Sequence, residues 1–216
     1  SAFIALEQEI DKRRVGEINP DTGKLFGYTK ERFPGTMVAV YEHICAKAGM
    51  NPEDQVRSEL RRIAMLAFDK KRYKDNIKPG ALHLLRQIRD SGNRNVLLTK
   101  GDEWVQRMKV EAIREVARED LFRETLIVET AKNPEVFLEI AAAHSDEQDT
   151  IVYAVGNDYA KDVLPALKAH SDFQGIWIPV ETWETMGQTE KLRAEVDIKR
   201  CLVLHRLAQI EDIFFS

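Results

Sequence analysis

Apolar residues in the first third of the chain recur at helical intervals and hardly alternate. Met37, Val40, Tyr41, Ile44 and Cys45 follow a period near 3.6, which predicts a helix capped by Thr36 and stopped at Gly49. Pro52 suits a first helical position, and Val56, Leu60, Ile63 and Ala67 continue on one face behind it. Between Ile18 and Pro34 the mixture of Gly, Pro, Asp and Asn predicts a loop, with Phe26, Tyr28 and Phe33 tucked against the helices. The run Lys70-Lys71-Arg72-Tyr73-Lys74 reads as a solvated loop.

From Ile77 onward the texture changes. Short apolar runs at Asn95–Leu98, Thr125–Val128, Ile151–Val155, Gly175–Pro179 and Cys201–Leu204 read as strands. Helical stretches separate most of them: Pro79 to Gly92, Asp102 to Arg118, Asn133 to His144, Lys161 to Ala169, and a short one at the end. Such alternation predicts right-handed crossovers and an α/β fold with a doubly wound, mostly parallel sheet. The expected organisation is a helical segment over 1–76 and an α/β core over 77–216. In doubly wound sheets ligands bind beyond the carboxyl ends of the strands, so the residues after each strand carry the chemistry.

Composition narrows the classes. The 216 residues are 44% hydrophobic and 31% charged, ordinary for a globular domain, with a formal net charge of −4. That balance gives no electrostatic footprint for nucleic acid or an anionic membrane. Cys45 and Cys201 sit in apolar patterns without C-x-x-C spacing, so both are expected to be reduced core residues of a cytoplasmic protein. The five histidines show no metal-ligand spacing, and no P-loop, G-x-G-x-x-G or G-x-S-x-G stretch occurs. Oligomeric state is not written in the pattern.

Three strand ends hold the candidate residues. After the first, Thr99-Lys100-Gly101-Asp102 offers a hydroxyl and successive amides leading into a helix, which suits an anion; Thr99 or Asp102 as a plain helix cap fits the same letters. After the second, Lys132 stands just before a helix start, where the helix dipole disfavours a cation unless it faces a phosphate or carboxylates; an exposed loop lysine is the alternative. After the third, Asn157, Asp158 and Asp162 present hard oxygens suited to Mg²⁺, whereas Asp158 could equally cap the helix that contains Asp162.

Taken in order, LLTKGD, AKNPEVF, VGNDYAKDVLPAL, GIWIP and TWE resemble the haloacid dehalogenase-like hydrolase superfamily across essentially the whole chain, in particular its phosphatase-like branch with a small helical (C1-type) cap. GYTKERFPGTMVAVYEHIC resembles the cap of that branch. The resemblance implies a Rossmann-like core and a Mg²⁺-dependent phosphatase acting on a small phosphorylated molecule through an aspartyl-phosphate. It makes Thr99 and Lys132 catalytic, gives phosphate binding to Thr99, Lys100, Gly101 and Lys132, and assigns the metal to Asn157, Asp158 and Asp162. Asn157 stands where the family has its first acidic residue, and an amide oxygen ligates without a charge.

One part of the family pattern has no counterpart. The nucleophile and general acid/base lie in a D-x-D motif ending the central strand, and no D-x-D occurs in these 216 residues. The opening SAFIALEQEID resembles the cap helix that follows that motif, so the expectation is that the central strand and nucleophile lie outside the given sequence, upstream of residue 1. A sheet without its middle strand leaves buried backbone groups unpaired on both neighbours, at about 1–3 kcal/mol each, unless another segment or chain fills the place. The alternative function is a non-catalytic protein of the same fold that binds a phosphorylated ligand or a protein partner, and a module that packs on a partner through cap aromatics is a third.

Overall fold

In a computed structural model, residues 2–129, 131–144, 150–180 and 189–215 are described. They fall into two compact units: residues 1–77 with 101–116, and residues 78–100 with 117–216. The first unit therefore recruits a stretch that lies inside the segment read from the sequence as α/β core.

In the first unit, α1 (Ala2–Arg14) packs on α2 (Arg32–Lys47), which packs in turn on α3 (Asp54–Met65). Thr36 does not cap α2, because that helix begins a turn earlier, at Arg32. Instead its fully buried hydroxyl donates to Asp11 Oδ1 at 3.0 Å and lies 3.0 Å from the Arg32 carbonyl, while Arg32 pairs with Asp11 at 2.9 Å. A buried carboxylate needs such partners, which explains a threonine in the middle of a helix. Phe26 is buried under the Arg14 guanidinium, 4.4 Å from its ring, whereas Tyr28 stays largely exposed.

The basic run at Lys70 is a helix, α4 (Lys70–Asp75), capped by Asp69, whose side chain accepts from the Lys71 amide. Its lysines are not free in solvent: Lys70 pairs with Glu111 at 2.8 Å, and both Lys70 and Lys74 pair with Glu115. Those acids lie on α6 (Glu103–Ala117), so ion pairs tie α6 to this unit. The start of α6 is held as well. Asp102 caps it, accepting from Val105 N at 3.1 Å and from Lys30 N at 3.2 Å, and the Lys30 ammonium lies over the Trp104 ring.

In the second unit α5 (Ala81–Asp90) precedes β1 (Val96–Lys100), which pairs in parallel with β2 (Glu124–Val128). After α7 (Pro134–His144) come β3 (Tyr153–Gly156), α8 (Leu164–Ala169), β4 (Gln174–Trp177), α9 (Thr189–Glu195), β5 (Cys201–Val203) and α10 (Ala208–Phe214). β3, β4 and β5 pair in parallel in that order. All five expected strands form, and every ladder is parallel, as the alternating pattern requires. The sheet is nevertheless divided: among the described residues β1 pairs only with β2 and β3 only with β4.

Three apolar clusters hold this unit. Tyr159, Val163, Leu167 and Trp177 fill one face, and Leu84, Ile176, Ile178 and Leu204 the other. Phe137, Ala154, Ala166 and Phe173 form the third, against which Leu98 of β1 packs. Gly175 is dictated by close approach: a Cβ there would sit 2.5 Å from Val163 and 3.1 Å from the Cys201 sulfur. Both cysteines are free and buried, and burial pushes the Cys201 thiol up from its ordinary value, which keeps it protonated and unreactive.

Candidate functional site

The residues after β3 belong to a connected polar group. The strand stops at Gly156, where a Cβ would lie 2.2 Å from the Asp162 Cβ, so only glycine lets the following turn fold back this tightly. The chain then makes a π-turn, Tyr159–Val163, before α8 begins. Asp158 caps that turn by accepting from Lys161 N at 3.1 Å, and its other oxygen lies 3.3 Å from the Lys161 ammonium. Asp162 turns back toward the strand end. Its Oδ2 accepts from Asp158 N at 3.0 Å, and its Oδ1 accepts from Lys132 Nζ at 2.7 Å. The Lys132 and Asp162 side chains are only 17% and 16% exposed.

Lys132 reaches this pair from the loop after β2. Asn133 caps α7, accepting from Val136 N at 3.1 Å, which fixes the loop's exit into the helix. The Lys132 ammonium, which the helix dipole alone would disfavour, is compensated by the Asp162 carboxylate. Thus the structure brings Lys132, Asp158 and Asp162 into one connected group. Asn157 sits beside it with an exposed side chain, its carbonyl accepting from the Trp177 indole at 2.9 Å. Thr99 and Lys100 end β1, paired with Ile127 and Val128, and Gly101 follows with φ 139°, a conformation that favours glycine. Asp102, the other residue weighed there, is a helix cap. The Thr182–Glu184 stretch TWE lies outside the described residues.

The donor set suits magnesium by its chemistry. Two carboxylates and an amide offer hard oxygens, and each carboxylate oxygen already bonded to one donor keeps capacity for another. Among the described residues no group of three His, Cys, Asp or Glu side chains converges as a ready cage. Two supports escaped the sequence reading: the Lys161 ammonium on Asp158, and Trp177, which pins the Asn157 carbonyl. The signal for the second was a tryptophan inside a buried strand, since an indole N–H in a core must find an acceptor.

No family model and no curated protein matches the chain in sequence. Solved structures do match in shape. A haloacid dehalogenase-like family hydrolase from Xanthomonas campestris is 18% identical, with a TM-score of 0.54 over 89% of this chain and 82% of that one. A protein described as a beta-phosphoglucomutase from Thermotoga maritima is 14% identical, with a TM-score of 0.50 over 98% of this chain and 90% of that one. Among the described residues no helix is long and apolar enough to cross a membrane. The α/β architecture, its parallel ladders and these likenesses together show that the chain has the haloacid dehalogenase-like fold.

Proposed function

We propose that the chain carries the phosphate- and metal-binding half of a Mg²⁺-dependent phosphohydrolase of haloacid dehalogenase type, acting on a small phosphorylated metabolite. The observation that supports this best is the ion pair of Lys132 with Asp162, largely out of solvent, one residue-turn from Asp158 at the end of β3. The pair stands beside a second carboxylate, Asp158, at the carboxyl end of a parallel strand, where this fold class binds ligands.

Asp158, Asp162 and the Asn157 amide oxygen would hold Mg²⁺, which when bound neutralises charge on the transferring phosphoryl group. Lys132 orients Asp162 and adds positive charge near the phosphoryl oxygens. The Thr99 hydroxyl and the amides leading to Gly101 donate to the same oxygens. Trp177 and Lys161 keep the loop in place. The attacking carboxylate of such chemistry is not found in these residues, since no D-x-D occurs among them. Asn157, an uncharged amide among the oxygens that would hold the ion, favours a second reading, in which the fold binds a phosphorylated ligand without turning it over.

Phosphate release and ligand-induced melting shifts, measured on the full-length protein with its D-x-D strand present, over one panel of phosphate esters with and without Mg²⁺, separate the two. Turnover that needs Mg²⁺ and disappears in Asp162→Asn establishes the hydrolase. Melting shifts without turnover establish the binding protein, and neither response overturns both.

A further inference from the structure

The charges at the turn after β3 come in two pairs of unlike build. Asp162 is held from both sides, by the Lys132 ammonium at 2.7 Å and the Asp158 amide at 3.0 Å, and this pair lies largely out of solvent. Asp158 is likewise sheltered, its side chain 12% exposed, with one oxygen accepting from the Lys161 amide at 3.1 Å. The cation at its other oxygen differs: the Lys161 ammonium lies 3.3 Å away on a side chain that is 57% exposed. Two carboxylates and two ammoniums leave these four side chains with no net charge.

The turn itself does not depend on that ammonium. Its capping bond comes from the Lys161 backbone amide, and the Asp162 amide donates to the Asp158 carbonyl at 2.8 Å. Any residue other than proline at position 161 supplies the first of these bonds. What a lysine adds is a charge on a flexible stem, anchored three residues from the carboxylate it meets. An exposed pair of this kind is weak, so the ammonium separates from Asp158 at little cost. A divalent cation taking the same oxygen has to displace it, and like charges a few ångströms apart repel more strongly beside a sheltered carboxylate than in open water. Lys132 is no such competitor, since its withdrawal would strand the sheltered Asp162 carboxylate.

We infer that Lys161 is a tethered competitor for Mg²⁺: its ammonium neutralises Asp158 in the absence of the ion and lowers the affinity of the loop for it. Position 161 thereby sets the free Mg²⁺ concentration at which the loop fills. This role rests on the metal reading proposed above and adds to it a residue that acts against the ion. A side chain that merely clamped the turn would act the other way, because its loss would loosen the ligands.

Mg²⁺ is titrated into the full-length protein without substrate, and binding is read by calorimetry and by the shift in melting temperature. Lys161→Met keeps an unbranched stem and removes the charge; it should bind Mg²⁺ roughly three- to tenfold more tightly. Lys161→Arg keeps the charge and should stay within about twofold of the parent. In an Asp158→Asn background the same Lys161→Met change should have a smaller effect, because the ammonium is no longer drawn to that oxygen. The Lys161 side chain is exposed, so the metal-free variants at this position should melt with the parent.

Weaker Mg²⁺ binding in Lys161→Met overturns the proposal in favour of a clamp, and unchanged binding overturns it outright. An undiminished effect in the Asp158→Asn background overturns it as well. Each of these results leaves the metal reading standing when the parent binds Mg²⁺ and Asp162→Asn does not. A parent and variants all indifferent to Mg²⁺ overturn both.

Discussion

Helix α6 and the turn after β3 are both fixed to their surroundings, by opposite means. α6 is tied by charges, with Lys70 and Lys74 gripping Glu111 and Glu115 near the surface. The turn after β3 is fixed by a missing side chain, since Gly156 admits the Asp162 carboxyl into the space a Cβ would take. Charged tethers tolerate change because water can replace either partner. Close approach does not, since no solvent can stand in for absent volume.

The comparison breaks hardest at Gly156→Ala. Placing a carbon 2.2 Å from the Asp162 Cβ must push the π-turn away from the strand, at a cost of about 3 kcal/mol or more by the usual scale of overpacking. Denaturant unfolding should show the loss, and any Mg²⁺-dependent property should go with it. Trp177→Phe comes next. It removes the indole bond to the Asn157 carbonyl and part of a fully buried ring, for about 2–3 kcal/mol. A near-unchanged midpoint would mean the pinned carbonyl finds another donor.

Thr36→Val probes a buried polar contact in the charge-tied unit. The swap keeps shape but leaves Asp11 one donor short, and about 1–2 kcal/mol should be lost in thermal or denaturant melts. The smallest effect belongs to Glu115→Gln. Hydrogen bonds from Lys70 and Lys74 hold the folded carboxyl at about 2, well below its ordinary 4.5. Folding therefore favours the ionised form; that contribution is complete above about pH 4.5 and fades as pH falls toward 2. The variant should melt close to the parent at neutral pH, because exposed pairs contribute little. Its decline on acidification across that window should be shallower than the parent's.

The strands were legible because apolar runs bounded by Gly, Pro and Asn have few other uses. Val96–Lys100 and Cys201–Val203 both fall within a residue or two of their expected bounds. What local pattern could not carry was the placement of charge. Lys70–Lys74 looks like a solvated loop until Glu111 and Glu115, some forty residues on, supply its partners. Thr36 looks like a cap because its buried partner, Asp11, sits on another helix. At the strand ends the sequence offered each residue two roles, and contacts sorted some of them. Asp102 is a cap. Asp158 caps a turn and also stands beside the Lys132–Asp162 pair, so the cap and ligand readings are not exclusive there.

The position of α6 also bears on how the polypeptide is made. Its unit is built from residues 1–77 and 101–116, while β1 and the strands after 117 belong to the other. During synthesis the first unit cannot close until residue 116 has emerged, by which time β1 is already out and its ladder partner β2 is not. The nascent chain thus exposes an apolar strand before either unit is complete. Neither unit can be cut out as one continuous fragment, and a break at residue 77 would leave α4 without the acids that hold it.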